Sequence, residues 1–462
     1  VLTPARNFSL DALMIEHVAI IGAGFSGSLA AVNLVRHGGP HATLIERRGG
    51  AGVGLAYGAA HRSHVLNVRA ANMSALPDRR DHFVAWLKAR GGAEEASDFV
   101  PRLTYGDYLR DTIAAAEREA GGRLDFVAGA AVDVAIEADG VWVELADGRT
   151  ITADVAVLAP GNLPPHPPAA IEEGLGPPAY FADPWDDATA EGLGPDDLVV
   201  IVGTGLTMVD VVLKLDAHGF RGRILAVSRR GLLPRAHEIF PSSDGLAERP
   251  RTVASALLHA VRVRAERIGW RAAVDELRPH TQAMWQAASE GERGRFLRHL
   301  RPWWDVHRHR IAPAVAARLS DLQAEGRLTV IAAQPSAIAA ARDGVRVTLR
   351  RRGHETIETV TAARAINCTG PQGDLLRTDD PLLCNLVAKG AIRPDSCRLG
   401  IDVNDQGETI AIGGRANPRL LAIGPMTRGA LWEIVAVPDI REQAWTLARR
   451  LSNAHWVGGE GL

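Results

Sequence analysis

Residues 17–38 read HVAIIGAGFSGSLAAVNLVRHG, and the fold follows from that stretch. His17–Ile21 is a short apolar run suited to a buried strand, and the residues beyond Gly27 carry the apolar spacing of a helix. Between them Gly22, Gly24 and Gly27 stand in GxGxxG order, with Phe25 and Ser26 inside the turn. The first glycine permits a tight turn, the second lets backbone approach a diphosphate, and the third lets helix and strand pack closely. The first helical turn then offers unpaired N–H groups and a positive dipole end to that diphosphate. A second apolar run, ATLIE, ends at Glu46, 24 residues after Gly22. A carboxylate there accepts hydrogen bonds from the ribose of an adenosine. Strand, turn, helix, strand and acid in register predict a Rossmann-type dinucleotide unit.

The residues that follow decide which dinucleotide. RRGGAGVGLAYG (47–58) adds five glycines without a helical pattern, where a dehydrogenase would enter another helix and strand. A loop of this kind is what flavoproteins of the glutathione-reductase type lay along a ribityl chain. FAD is therefore expected at the first unit, with Arg47 and Tyr57 among its contacts.

The pattern restarts at Leu198 with LVVIVGTGLTMVDVVLKLDAHGFRGRILAVSRRG. Gly203 and Gly205 repeat the turn, Leu206 and Thr207 open a helix that runs to about His218, and Met208 replaces the third glycine. That helix should sit slightly farther from its strand. At the end of the next strand Ser228, Arg229 and Arg230 stand where the first unit has an acid. Hydroxyl and guanidinium donors at that place suit the 2′-phosphate of NADPH, although exposed arginines are also ordinary surface groups. The expected cofactors are FAD and NADPH.

Bulk properties agree with this reading. A chain of 462 residues suits two domains. With 52 basic against 54 acidic side chains there is no surplus to neutralise a polyphosphate backbone, so nucleic acid is not an expected partner. Only three lysines occur, Lys88, Lys214 and Lys389. Cys368, Cys384 and Cys397 form no CxxC and no metal-binding cluster, which points to a reducing, cytoplasmic compartment and away from a dithiol reductase. No apolar run is long enough for a membrane span. Residues 1–13 precede Met14 and read as a non-native or disordered tail.

The fold class expected is α/β, with an FAD domain of glutathione-reductase type interrupted by an NADPH domain that carries a helical insertion. The FAD domain is assigned residues 14–165 and 336–462, the NADPH domain 180–335, and the insertion 247–325. DVAVLAPGN (154–162) and RAINCTGPQG (364–373) are apolar strands ending in glycine turns, so the chain leaves near Gly161 and returns near Gly370. Alternation between Val127 and Val143 and again over Leu328–Val360 predicts hairpins turning at Asp139-Gly140 and Asp343-Gly344. Val132, in the first of these, is a further candidate cofactor contact. RLLAIGPMTRGALWE (419–433) gives one more strand, then Gly424, then a helix start. In flavoproteins of this plan that start aims N–H groups at the flavin, and the acid usual after the glycine is Pro425 here.

With these residues quoted, the chain resembles a bacterial family of FAD/NAD(P)-binding proteins. The resemblance rests on GAGFSG (22–27), GLAYG (54–58), HVLNVRAANMSALPD (64–78), SRRGLLPRAHE (228–238) and LWEIVAVPDIREQA (431–444). It covers nearly the whole chain, implies the two-dinucleotide fold, and implies that Asn67, Val68 and Met73 lie along the flavin. It also relates the chain distantly to class B flavin monooxygenases, including N-hydroxylating ones. The Baeyer–Villiger fingerprint is not met: AYFADPWDD (179–187) has Asp183 and Trp185 but no matching histidine.

The expected activity is an FAD-dependent, NADPH-using oxidoreductase. Its favoured form is a monooxygenase acting on a small amine or sulfur metabolite, with a reductase feeding a quinone or protein, or a low-turnover flavin sensor, as alternatives. Trp270, Trp285, Trp303 and Trp304 gather in the insertion, which covers the flavin or is simply a helical subdomain with an aromatic core. Asn67, Arg69 and Arg428 are the candidate catalytic residues, with His237 beside them, and each also suits a structural hydrogen-bonding role. His307 and His309 are two apart, point differently on a helix and are not expected to bind metal. The partner is a small molecule, with room for a homodimer.

Overall fold

Alternation along the strand His17–Ile21 fixes two layers. Val18 and Ile20 face one core with Leu29, Leu34, Tyr105 and Leu447, while Ala19 and Ile21 face another with Val141, Val143 and Leu383. This is the period-two geometry of a strand buried on both faces. The computed structural model describes residues 14–48, 50, 52–239, 245–246, 248–250 and 254–452. The tail expected at residues 1–13 lies outside the described residues.

The first sheet runs Glu408–Ile410, Ala416–Ala422, Val155–Leu158, His17–Ile21, His41–Glu46, Leu124–Ala128. All neighbours are parallel except the edge strand Glu408–Ile410. Helices Phe25–Arg36, Arg102–Glu119 and Val437–Leu451 supply residues to one core. A three-stranded meander, Ala131–Ile136, Val141–Leu145 and Thr150–Ala153, covers the opposite face together with helix Pro381–Ala388.

The second sheet is built on Leu198–Val202, flanked by parallel strands Arg223–Ser228 and Arg364–Asn367. Leu328–Ala341 begins parallel to Arg223–Ser228, passes a register shift between Pro335 and Ala337, and continues as an antiparallel hairpin with Gly344–Arg351 and Ile357–Ala362. The boundary expected at residue 336 therefore needs correction, because it falls inside this strand. Val345, Val347 and Leu349 share a core with Val200 and Val227, so burial holds the hairpin in the second unit. The chain crosses between units where Leu163 pairs antiparallel with Gln372, and Leu375 is already in the core of the first unit. Residues 254–324 form a series of helices, from Ala254–Ile268 to Pro313–Ala324.

The units are joined by buried polar contacts. Arg102, at the start of its helix, places Nη1 2.8 Å from Asp210 Oδ2 on helix Leu206–Ala217. His64 Nδ1 accepts from the His61 N–H at 3.0 Å, so its Nε2–H donates to the Asp210 carbonyl at 3.0 Å. Burial, with Arg102 nearby, pushes the His64 imidazole down to about 3. Burial also raises the Asp210 carboxyl to about 6, against the pull of Arg102.

The two shifts act oppositely with pH. A depressed histidine stabilises the fold above its ordinary value of 6.5 and loses that contribution as pH falls. A raised carboxyl is the reverse, stabilising as pH falls from about 6. His64→Gln removes only the first. Wild type should therefore lose stability relative to H64Q by about 1.4 kcal/mol per pH unit below pH ~6.5. Urea unfolding between pH 7 and pH 4 checks this, and parallel stability curves for the two proteins would refute it.

Candidate functional site

The first glycine turn is shaped by backbone packed where side chains would stand. Gly22 has φ +107°, and a Cβ on it would fall 2.3 Å from the Ala159 carbonyl oxygen. On Gly27 a Cβ would fall 1.9 Å from the Gly22 carbonyl oxygen. Gly24 caps the helix in extended conformation with no side-chain cap, and no acid occupies the first turn. The N–H groups of that turn, around Phe25 and Ser26, are thus left for a ligand. Glu46 is held at the turn: Oε2 accepts from the Ala23 N–H at 2.9 Å and Oε1 from the Arg48 N–H at 3.0 Å.

Beside Glu46 lies a cavity of about 370 Å³ whose lining includes Leu44, Arg110, Ile113, Phe126, Val127 and Ala128. Its volume is that of a small-ligand pocket. Largely apolar walls, with the Glu46 and Glu117 carboxylates and Arg110 among the lining, suit the adenosine end of a dinucleotide. The glycine-rich loop closes on the turn: the Gly52 N–H donates to the Ala23 carbonyl at 2.8 Å, and a Cβ on Gly54, at φ +51°, would lie 3.0 Å from Gly24 Cα. Turn, acid and cavity together fit FAD. The loop differs from expectation in one respect, because Gly54–Gly58 is a five-residue helix. Tyr57 packs its ring 4.8 Å from Tyr105 and 6.0 Å from Phe25, and burial pushes its hydroxyl up to about 12. Its ring thus packs against the cradle.

Two further candidate contacts have protein partners. Val132 is in the meander strand Ala131–Ile136 with its carbonyl taken by Asn385 Nδ2 at 2.8 Å, and the cavity wall comes from Phe126–Ala128 instead. Arg47 Nη1 pairs with Asp380 Oδ2 at 2.8 Å and so ties the first unit to helix Pro381–Ala388.

The second turn repeats the first. Gly203, at φ +118°, places a notional Cβ 2.0 Å from the Cys368 carbonyl oxygen, and Gly205 is open. Leu206 and Thr207 begin the helix, and Met208 is fully buried. Ser228 Oγ accepts from the Gly231 N–H at 3.0 Å and shares a hydrogen bond with Thr204 Oγ1 at 2.8 Å, so it shapes the strand end. Arg230 Nη2 reaches the His299 carbonyl at 3.4 Å. Arg229 is exposed and has no hydrogen bond or ion pair among the described residues. Gly161 and Gly370, both at positive φ with nothing near a notional Cβ, lie at the crossings between units.

The candidate catalytic residues divide into two groups. The Asn67 carbonyl accepts from His237 Nε2 at 2.9 Å, and Asn67 lines a small cavity with Leu206 and Asp210. Arg69 lies 5.1 Å over the Phe99 ring, which is 5.0 Å from the His237 ring. Val68 is half-buried and Met73 is buried in the first core. Arg428 has other neighbours. It follows Gly424, whose φ is +82° and on which a Cβ would lie 2.4 Å from Ser26 Oγ, so this turn rests on the first cradle. Gln443, which sequence reading missed, takes the Gly424 N–H through Oε1 at 2.7 Å. The helix start is a three-residue 3₁₀ turn, Pro425–Thr427. The Thr427 and Arg428 N–H groups are both engaged within it, so a fan of N–H donors is not what this turn provides.

Residues 19–163 match the model of a family described as FAD-NAD(P)-binding. No curated protein matches the chain. Among solved structures, the ornithine N-hydroxylase of Kutzneria sp. 744, determined with reduced FAD, NADP+ and L-ornithine, superposes with TM-score 0.64 at 15% identity. The match covers 95% of this chain and 99% of that one. L-lysine 6-monooxygenase from Pseudomonas syringae gives TM-score 0.64 at 18% identity over 95% and 99%. Bacillithiol disulfide reductase from Staphylococcus aureus gives 0.56 at 13% over 95% and 98%. Residues 19–163 are thus similar to the FAD-NAD(P)-binding family, and the chain has the fold of these flavoproteins.

Proposed function

We propose that the chain is an FAD-dependent oxidoreductase that draws electrons from NADPH and hydroxylates a small nucleophilic metabolite, an amine or a sulfur compound. The observation that carries this reading is the lining shared by Asn67 of the first unit and Leu206 of the second cradle. The segment expected along the flavin thus meets the helix expected to hold the nicotinamide nucleotide. A bound flavin accepts hydride from a reduced nicotinamide and passes electrons to oxygen or another acceptor.

The chain's own residues supply position and exclusion of water. The Gly22–Gly27 turn and Glu46 hold one dinucleotide, and Arg229 holds the 2′-phosphate of the other. His237 fixes Asn67 through its backbone, and burial lowers its imidazole, so His237 is a neutral positioning group. The insertion closes over the turn after Gly424, where Trp285 Nε1 donates to the Gly429 carbonyl at 2.7 Å. The likeness to amine N-hydroxylases supports hydroxylation. Cys368 is buried, with burial raising its thiol well above the ordinary value, so that thiol is unreactive.

Three outcomes follow. Ala114, an exposed residue in the wall of the cavity beside Glu46, can be enlarged without disturbing the core. Ala114→Trp should lower FAD affinity by about tenfold or more while shifting the apoprotein Tm by less than ~2 °C; unchanged FAD affinity would place the adenosine elsewhere. Arg229→Ala should raise the KM for NADPH about tenfold and leave NADH use nearly unchanged, because a charge-assisted hydrogen bond to the 2′-phosphate is lost. An equal loss for both cofactors would contradict that role. NADPH consumption should require oxygen and a nucleophilic substrate with little peroxide released, whereas turnover only with a quinone or protein acceptor would replace the hydroxylase reading with a reductase.

A further inference from the structure

Buried polar atoms without partners gather where the insertion meets the segment after Gly424. Among the described residues, Arg428 Nε, Asp439 Oδ2 and Arg441 Nε are shielded from solvent and make no hydrogen bond. Arg441 still donates through Nη1 to the Ser74 carbonyl, and Asp439 lies 3.8 Å from Arg278. Arg428 differs, since no hydrogen bond or ion pair engages its guanidinium among the described residues. A group with five donors that keeps its charge is costly to shield without an anion.

The neighbouring carboxylates Asp305 and Asp395 act on Arg428 through their charge, but each has other partners and neither lies within ion-pair distance of it. Asp395 Oδ1 accepts from the Cys397 N–H at 2.8 Å, and Oδ2 from the Leu399 and Gly400 N–H groups at 2.6 Å each. Asp305 Oδ2 is paired with Arg301 Nε at 3.3 Å. The backbone carrying Arg428 is also fixed. Trp285 holds the Gly429 carbonyl and stacks on Trp432 at 4.6 Å, and Phe296 meets Trp432 edge-on at 5.4 Å. Next to Trp432, Glu433 is held at φ +72°, a conformation rare for a non-glycine residue, by Trp304 Nε1 at 2.7 Å and Arg308 Nε at 2.8 Å. Aromatic and ionic contacts from the insertion thus lock the segment that follows Arg428, a cation with no ion-pair partner among the described residues.

We propose that Arg428 recognises an oxyanion on the substrate, a carboxylate or a phosphate, bound between the segment after Gly424 and Arg301 of the insertion. This rests on the oxidoreductase reading, in which the insertion covers the substrate. Burial, with Arg301 beside it, pushes the Arg428 guanidinium down to about 10, which still leaves it charged at neutral pH.

Anion binding can be read without turnover. The FAD-loaded protein, with no NADPH present, is titrated with acetate, succinate and benzoate in one arm and with inorganic phosphate and sulfate in the other. Changes in the flavin spectrum and in Tm are followed. Wild type should respond saturably in one arm, which identifies the oxyanion. Arg428→Met should raise the half-saturation concentration about tenfold or more, and Arg428→Lys, which keeps the charge but loses the fork, should fall between. If R428M does not retain FAD, R428K decides the matter. A half-saturation unchanged by the tested variant, a variant effect on flavin potential alone, or no saturable response in wild type would overturn the assignment. Oxygen-dependent NADPH turnover without anion binding would sink only this inference, and anion binding without NADPH turnover would sink only the functional reading.

Discussion

A carbonyl oxygen lodged where a Cβ would stand is the constraint on which this structure depends. The Ala159 oxygen presses on Gly22, and the Gly22 oxygen presses on Gly27. Those approaches bring strand His17–Ile21, its parallel neighbour Val155–Leu158 and helix Phe25–Arg36 closer than any side chain at the two glycines would allow. The helix thereby begins at the carboxyl edge of the sheet with its first N–H groups unspent. A negatively charged ligand is the natural complement to that edge. The second unit repeats the device with Cys368 against Gly203. Met208 replaces the third glycine there and is fully buried in the core of the second unit.

Much of the fold was legible because it obeys local rules. Glycines at Gly22, Gly24, Gly203 and Gly205, an acid at Glu46 and hairpin turns near Asp139 and Asp343 each have a cause within a few residues. What escaped reading is non-local. The adenosine cavity draws Phe126–Ala128 from one strand and Arg110–Ala114 from a helix, and no spacing in the sequence joins them to Glu46. The boundary at residue 336 failed because Leu328–Ala341 changes partners within its own length. The Arg102–Asp210 pair spans 108 positions and left no mark in either local pattern.

The site is likewise partly local and partly assembled. The residues after Gly424 could be placed near the flavin by analogy of plan, but Pro425 changes what they offer. A three-residue turn whose N–H groups are mostly engaged contributes little dipole. The insertion compensates by clamping that turn with Trp285, Trp304 and Arg308. Three of these contacts come from residues more than 120 positions away, which explains why the clustered tryptophans could be noticed in the sequence while their purpose could not.

The central claim is that a flavin dinucleotide seats its diphosphate on the opening turn of helix Phe25–Arg36, with its adenosine beside Glu46. Titration of FAD into flavin-free protein, followed by quenching of flavin fluorescence, tests it most directly. Saturation at a single tightly held FAD per chain is the result this account requires. Protein that stays colourless and leaves the fluorescence of added FAD unchanged would contradict it.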